Sequence, residues 1–153
     1  MRVIRWGVVG CGDIVRRRVG PALKSLPGCE IAGVARRDPE RLESCREKMQ
    51  VERGFADWRD LVRDDAIEAV YIATPVRTHC DQVLAALEHG KHVLCEKPMA
   101  MDADECRQMI AATDDAGVKL QLVEELGHVA PRHVEPDEGA VLGVALQRRL
   151  VHL

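Results

Sequence analysis

The chain lacks a surplus of positive charge. Its 153 residues carry 22 Lys and Arg against 25 Asp and Glu, a formal net charge of −3, so no basic field is available to grip a nucleic acid backbone. It also lacks the marks of export and membrane insertion. Arg2 and Arg5 flank only two residues, leaving no apolar h-region, and no run is long enough to span a bilayer. Cysteines stand at 11, 29, 45, 80, 95 and 106, yet no two have the Cys-x-x-Cys spacing of a zinc or redox site. Several fall in apolar runs, where a reduced cysteine acts as a small hydrophobe. No histidine–carboxylate cluster has metal-ligand spacing, so no metal is expected. Repeats and low-complexity tracts are absent as well. The expectation is a reduced, cytoplasmic protein with room for one domain, a proper core and a short appendage.

What is present begins at Val3. Val3-Ile4-Arg5-Trp6-Gly7-Val8-Val9 is a short run of β-type residues that breaks at Gly10-Cys11-Gly12 and resumes with helical character at Asp13-Ile14-Val15. Strand, glycine turn and helix in that order make the phosphate-binding corner of a dinucleotide fold. Gly10 lets the backbone turn tightly off the strand. Gly12 lets the main chain approach a pyrophosphate with no Cβ in the way, and the unpaired N–H groups of the helix start face the phosphates. The third glycine of the fingerprint is absent, because Val15 holds its place. A branched side chain there is expected to push the helix slightly off the sheet. A plain strand–turn–helix corner would have the same pattern.

The rest of the chain alternates. Residues 14–26 have helical apolar spacing, with Gly20-Pro21 as a break or kink and Pro27-Gly28 as the stop. A buried strand is expected at 29–35. Asp38 is placed to cap a helix with Pro39 at its first position, running to about 49. A third strand follows at 51–55, then a one- or two-turn helix with Trp58 and Leu61 as inward anchors. Strands at 67–73, 91–95 and 118–123 are separated by helices at 78–89 and 102–116, with Gly90 and Gly117 as stops. Such alternation means a parallel sheet covered on both faces: an α/β fold, the doubly wound Rossmann sheet, over 1–123. From 124 to 153 the pattern fails, and the segment is expected to be an irregular tail. Its apolar stretch 140–153 could join another chain and so support a homo-oligomer.

Four stretches go beyond a generic Rossmann reading. They are Ile4-Arg5-Trp6-Gly7-Val8-Val9-Gly10-Cys11-Gly12-Asp13-Ile14, Asp38-Pro39-Glu40-Arg41, Tyr71-Ile72-Ala73-Thr74-Pro75, and Ala85-Ala86-Leu87-Glu88-His89-Gly90-Lys91-His92-Val93-Leu94-Cys95-Glu96-Lys97-Pro98-Met99-Ala100. Taken in order, they resemble the N-terminal domain of the glucose–fructose oxidoreductase, inositol dehydrogenase and MocA family. The specific part is the Gly-Lys-His-Val to Glu-Lys-Pro run. The resemblance implies an NAD(P)-dependent oxidoreductase acting on sugars, cyclitols and related alcohols or carbonyls. It also implies a second α/β domain bearing a further catalytic histidine, which the short remainder does not match. The expectation is a truncated or frame-disrupted product, with 124–153 as the stub of that domain and turnover by the short form doubtful.

Lys97 is the expected catalytic residue. It follows the carboxyl end of a parallel strand, where open α/β sheets bind their ligands. Its ammonium there can bond a substrate oxygen and help move the proton. Glu96 would orient or pair it, and the alternative is a solvated surface lysine. The resemblance further implies a cis Lys97–Pro98 bond. Arg36 and Arg37 follow the second strand, where an acidic residue would select NAD; a guanidinium there suits the 2′-phosphate of NADP. An exposed arginine pair at a helix entrance is the other account. Thr74 and Pro75 are expected on the nicotinamide side, with His79 one turn on, as a cofactor contact or a helix-face residue. Gly10, Gly12, Asp13, Ile14 and Glu96 complete the cofactor set. Arg16, Arg17 and Arg18 read as a charged helix face and His92 as packing. The function expected is hydride transfer between NADP, favoured over NAD, and a small polyol or sugar. A non-catalytic dinucleotide-binding sensor or partner module is the alternative.

Overall fold

A computed structural model describes residues 2–123. The tail expected over 124–153, the stub of a second domain and the oligomer contact through 140–153 lie outside the described residues. Six strands form one parallel sheet: β1 (Ile4–Val9), β2 (Cys29–Ala35), β3 (Gly54–Phe55), β4 (Ala69–Ile72), β5 (His92–Cys95) and β6 (Leu120–Leu122). Their spatial order is β3-β2-β1-β4-β5-β6. The chain therefore winds outward from β1 to one edge, crosses back to β4, and winds to the other edge. The reversal between β1 and β4 is the topological switch point of a doubly wound Rossmann sheet.

The helices are α1 (Gly20–Ser25), α2 (Pro39–Met49), α3 (Trp58–Arg63), α4 (His79–Glu88) and α5 (Ala103–Ala116). Strand side chains alternate between two cores, as the pleat requires. Trp6, Val8, Tyr71 and Leu94 enter a cluster with Val15, Leu23, Cys45 and Met49 of the α1 and α2 side. Val9, Val70, Ile72, Val93 and Cys95 enter the opposite cluster with Leu61, Val83, Leu87 and Met109 of α3, α4 and α5. With both faces covered, the strands read as continuous apolar runs.

Capping chemistry places two helices where the sequence puts them. The Asp38 carboxylate accepts from the Arg41 N–H at 3.0 Å, with Pro39 at the first position, and such a cap is worth ~1 kcal/mol. Asp102 accepts from the Glu105 N–H at 2.9 Å, and Glu105 returns a bond to the Met101 N–H at 2.9 Å. Gly117 closes α5 with φ +65.

Elsewhere the structure differs from expectation. The third strand is only Gly54–Phe55, because the Val51 N–H is still bonded to the Arg46 carbonyl at the end of α2. Trp58 and Leu61 are the expected inward anchors: Leu61 is buried, and half-buried Trp58 packs against the same core with the Arg59 guanidinium 4.5 Å from its ring centroid. The first helix opens with a π-helical turn, Val15–Val19, whose wide loop is closed by the Gly20 N–H on the Val15 carbonyl. Val15 is fully buried there. A Cβ on Gly20 would lie 2.9 Å from the Val15 carbonyl oxygen and 3.0 Å from Met49 Cε. Finally, Cys11 and Cys45 come together sulfur to sulfur, with Cα atoms 6.4 Å apart, within the span of a disulfide. Their separation of 34 residues hides a contact made only when α2 packs behind the glycine turn.

Candidate active site

The site is built at the carboxyl ends of the strands. β1 ends in the glycine turn, where Gly10 adopts φ +90 and donates its N–H to the Ala35 carbonyl at 3.2 Å. A Cβ on Gly10 would sit 2.6 Å from the Ala73 carbonyl oxygen and 2.8 Å from Thr74 Cγ2. Position 10 thus needs glycine twice, for its left-handed backbone and for the close approach of the chain leaving β4. Gly12 is the opposite case. A Cβ there would meet nothing within 4 Å, so the turn presents bare backbone to open space at the start of a helix. A pyrophosphate fits such a cradle. Asp13 and Ile14 line the same entrance and are exposed. Asp13 is paired with Arg16, whose hydrogen bond and charge hold its carboxyl below the usual range.

Arg36 leaves β2 and turns back over the turn, donating from its guanidinium to the Cys11 carbonyl at 2.5 Å. It is half-buried, whereas Arg37 beside it is exposed. The sequence places both at the adenosine end, and the structure brings only Arg36 onto the glycine turn. On the other side of β1, Thr74 leaves β4 and donates its hydroxyl to Gln82 Oε1 at 2.5 Å. Gln82 is buried and was not singled out from sequence, where it reads as an ordinary helix residue. Pro75 is exposed. His79 is buried, with Nε2 2.8 Å from the Thr74 carbonyl and Nδ1 3.0 Å from the Pro98 carbonyl. A neutral ring donates to one of these oxygens and a protonated ring to both. Either way His79 ties the loop after β4 to the loop after β5.

β5 ends in Glu96 and Lys97. The Glu96 carboxylate is buried; one oxygen accepts the Tyr71 hydroxyl at 2.6 Å and the other the Lys97 N–H at 3.2 Å. Tyr71, fully buried on β4, is a second residue that sequence reasoning passed over as core. Burial, reinforced by donation to Glu96, holds its phenol above the usual range, so it remains a donor. Burial and the neighbouring carboxylate also push the Cys95 thiol up to about 12, which keeps it inert beside the site. Lys97 itself is exposed, and its bond to Pro98 is cis.

The strand order lines these groups up. Arg36, the glycine turn, Thr74 and Lys97 leave β2, β1, β4 and β5, four adjacent strands. They span three strand spacings, roughly 14 Å. A cation, an anion cradle, a hydroxyl and an exposed ammonium therefore lie in sequence along one edge of the sheet.

Comparison with known proteins bears on the fold and the family. A family model described as an oxidoreductase family with an NAD-binding Rossmann fold matches residues 4–124. A 1,5-anhydro-D-fructose reductase of Ensifer adhaerens is 33% identical over 151 residues, which is 97% of this chain and 45% of the relative. An inositol 2-dehydrogenase of Rubrobacter xylanophilus is 37% identical over 137 residues, 90% of this chain and 39% of the relative. Among solved structures, a 3-ketoreductase from Actinomadura kijaniata in complex with TDP-benzene and NADP superimposes with a TM-score of 0.75 at 34% identity. That match covers 79% of this chain and 38% of the other. The chain thus spans less than half the length of these curated relatives.

Proposed function

The chain belongs to the oxidoreductase family with an NAD-binding Rossmann fold, and from that premise we propose that it binds NADP in preference to NAD and serves hydride transfer to or from a sugar, cyclitol or related alcohol or carbonyl. The observation that carries the reading is the order of groups along the carboxyl edge: Arg36, the bare turn at Gly12, Thr74, then Lys97. Gly10 and Gly12 bring backbone to the pyrophosphate, with Asp13 and Ile14 at the same entrance. Arg36 offers forked donors to a 2′-phosphate, and exposed Arg37 adds charge beside it. Thr74 and Pro75 flank the nicotinamide end, and His79 serves that end through the two carbonyls it bridges. The nicotinamide, when bound, supplies the hydride chemistry. Lys97 holds the substrate oxygen and gives or takes its proton, while Glu96 fixes the backbone from which the lysine projects. The substrates named for the relatives, 1,5-anhydro-D-fructose and inositol, indicate the class of polyhydroxylated substrate.

Fluorescence titration with NADPH and NADH, followed by turnover on a polyol and sugar panel, tests the reading. Saturable binding with NADPH the tighter, and weak turnover by this chain that Lys97→Ala abolishes with binding retained, is the expected result. Absence of saturable binding by either cofactor would sink the proposal. Tight binding without turnover on any member of the panel would favour the second class of function, a dinucleotide-binding module that does no chemistry.

A further inference from the structure

The corner that carries Lys97 is anchored in the core by a side chain that touches no ligand. Tyr71 lies in β4 between Val70 and Ile72, fully buried, in a position that phenylalanine would pack equally well. Its hydroxyl is therefore the informative part, since a buried phenol must find a partner. That partner is Glu96 Oε1 at 2.6 Å, one strand across. The other carboxylate oxygen holds the Lys97 N–H at 3.2 Å, and the Glu96 N–H is itself spent on the Ile72 carbonyl at 2.9 Å. A carboxylate fixed at both oxygens has no freedom to swing, so the backbone at Lys97 is set by the phenol beneath it. His79 grips the far side of the same corner through the Pro98 carbonyl.

We propose that Tyr71 is a positioning residue: through Glu96 it fixes the backbone of Lys97 at the carboxyl end of β5. The proposal rests on the reading of Lys97 as the proton-handling group, and its test does not use turnover. A purely structural role for Tyr71 predicts that Tyr71→Phe, which keeps the ring, leaves the corner as it was. The positioning role predicts a local change at Lys97 alone.

Amide hydrogen exchange by NMR on the full 153-residue chain separates the two. In wild type the Lys97 amide should be protected and shifted downfield by its carboxylate acceptor, and the Tyr71 hydroxyl proton should exchange slowly. Tyr71→Phe should accelerate exchange at Lys97 by about ten-fold or more relative to the β4 and β5 amides, with NADPH affinity held within about two-fold. Glu96→Gln gives an independent arm. Its amide oxygen still accepts from Tyr71, so the hydroxyl proton should stay slow, while its NH2 faces the Lys97 N–H and should release it. A Lys97 amide unchanged in Tyr71→Phe, or accelerated only in step with the β4 and β5 amides, would overturn the proposal. Turnover that survives Lys97→Ala would instead remove the catalytic reading, a failure visible in a different experiment.

Discussion

The two ends of the sheet have been finished in opposite ways. At the amino ends of the strands, charged and polar groups are used up on one another. Buried Lys91 donates to the Asp64 carbonyl at 2.9 Å and the Ile67 carbonyl at 2.8 Å. Glu68 is paired with Arg2 at 2.9 Å and accepts the Arg5 N–H at 3.1 Å; Asp64 is paired with Arg53. His92 accepts the Lys119 N–H on Nδ1 at 3.1 Å. The carboxyl ends are more open. Gly12 opens onto space, Arg37 and Lys97 are exposed, and Glu96, Gln82 and His79 grip loops from below. One end closes the fold, and the other presents bare backbone and exposed side chains where the strands finish. Perturbing each end should therefore move different quantities.

The largest effect is expected at the closed end. Lys91→Met would leave the buried Ile67 carbonyl without its ammonium donor, at about 1–3 kcal/mol, and would leave the Asp64 carbonyl with the Ile67 N–H alone, at 3.0 Å. Stability by urea denaturation should fall by roughly 3 kcal/mol, while NADPH affinity, measured at a denaturant-free temperature well below melting, stays within about two-fold. A matching loss of affinity would break the contrast between the ends.

Next comes Arg36→Asp at the open end. A charge-assisted contact to a 2′-phosphate is worth ~1.5–3 kcal/mol, so NADPH affinity should drop about ten- to hundred-fold and NADH should gain relative to it. The melting temperature should move little. Equal affinity for both cofactors in wild type would refute the role given to Arg36.

Gly12→Ala sharpens the point. Nothing in the folded chain opposes the new Cβ, so stability should hold or rise slightly, as reduced backbone freedom in the unfolded chain implies. Cofactor affinity should fall by about ten-fold, ~1.4 kcal/mol, because the methyl occupies the approach to the pyrophosphate. Isothermal titration beside a thermal melt reads both. A stability loss without an affinity loss would place Gly12 with the structural glycines.

The smallest effect is in pH. Burial, with the Lys119 charge adding to it, holds the His92 ring below its ordinary value of 6.5. The unfolded chain takes up that proton first, so the stability His92 contributes is present above 6.5 and declines as pH falls below it. Glu68 and Asp64, held low chiefly by hydrogen bonds from Arg2 and Arg53, add a second decline. Their contribution is present above the ordinary values of 4.5 and 3.8 and is lost as pH falls through the lowered ones. Denaturation midpoints at about pH 7.5, 5 and 3 should show two steps, and His92→Gln should erase the first.

How much of this could be read from the sequence depends on the range of each interaction. Helices α2 and α5 start and stop where Asp38-Pro39 and Asp102 through Gly117 put them, because caps act within one turn. Five of the six strands fall within their expected ranges for the same reason, that period and punctuation are local, while the third is cut short at Gly54–Phe55 by the end of α2. The cis Lys97–Pro98 bond and the family came from resemblance, not from physics. Contacts between distant strands and helices were not legible. Nothing near Cys11 points to Cys45, and nothing near Glu96 points to Tyr71. One signal was available for the second pair. Tyr71 is the single tyrosine of the chain, set in an apolar strand, and a phenol there demands an acceptor. Gln82 gave a similar hint on α4, where an amide inside an apolar stripe calls for a partner such as Thr74.

The π-helical turn after the glycine corner has a consequence for how relatives of this chain are recognised. A pattern that demands a third glycine three residues after Gly12 rejects this sequence at Val15, although the corner is intact. A small residue stands five positions along, at Gly20, where a Cβ would crowd the Val15 carbonyl oxygen of the widened turn and Met49 of α2. Chain distance and spatial distance have come apart, and the fingerprint counts only the first. A search that scored volume at the helix–sheet contact, rather than a letter at a fixed offset, would keep sequences of this type and discard those in which both places are filled.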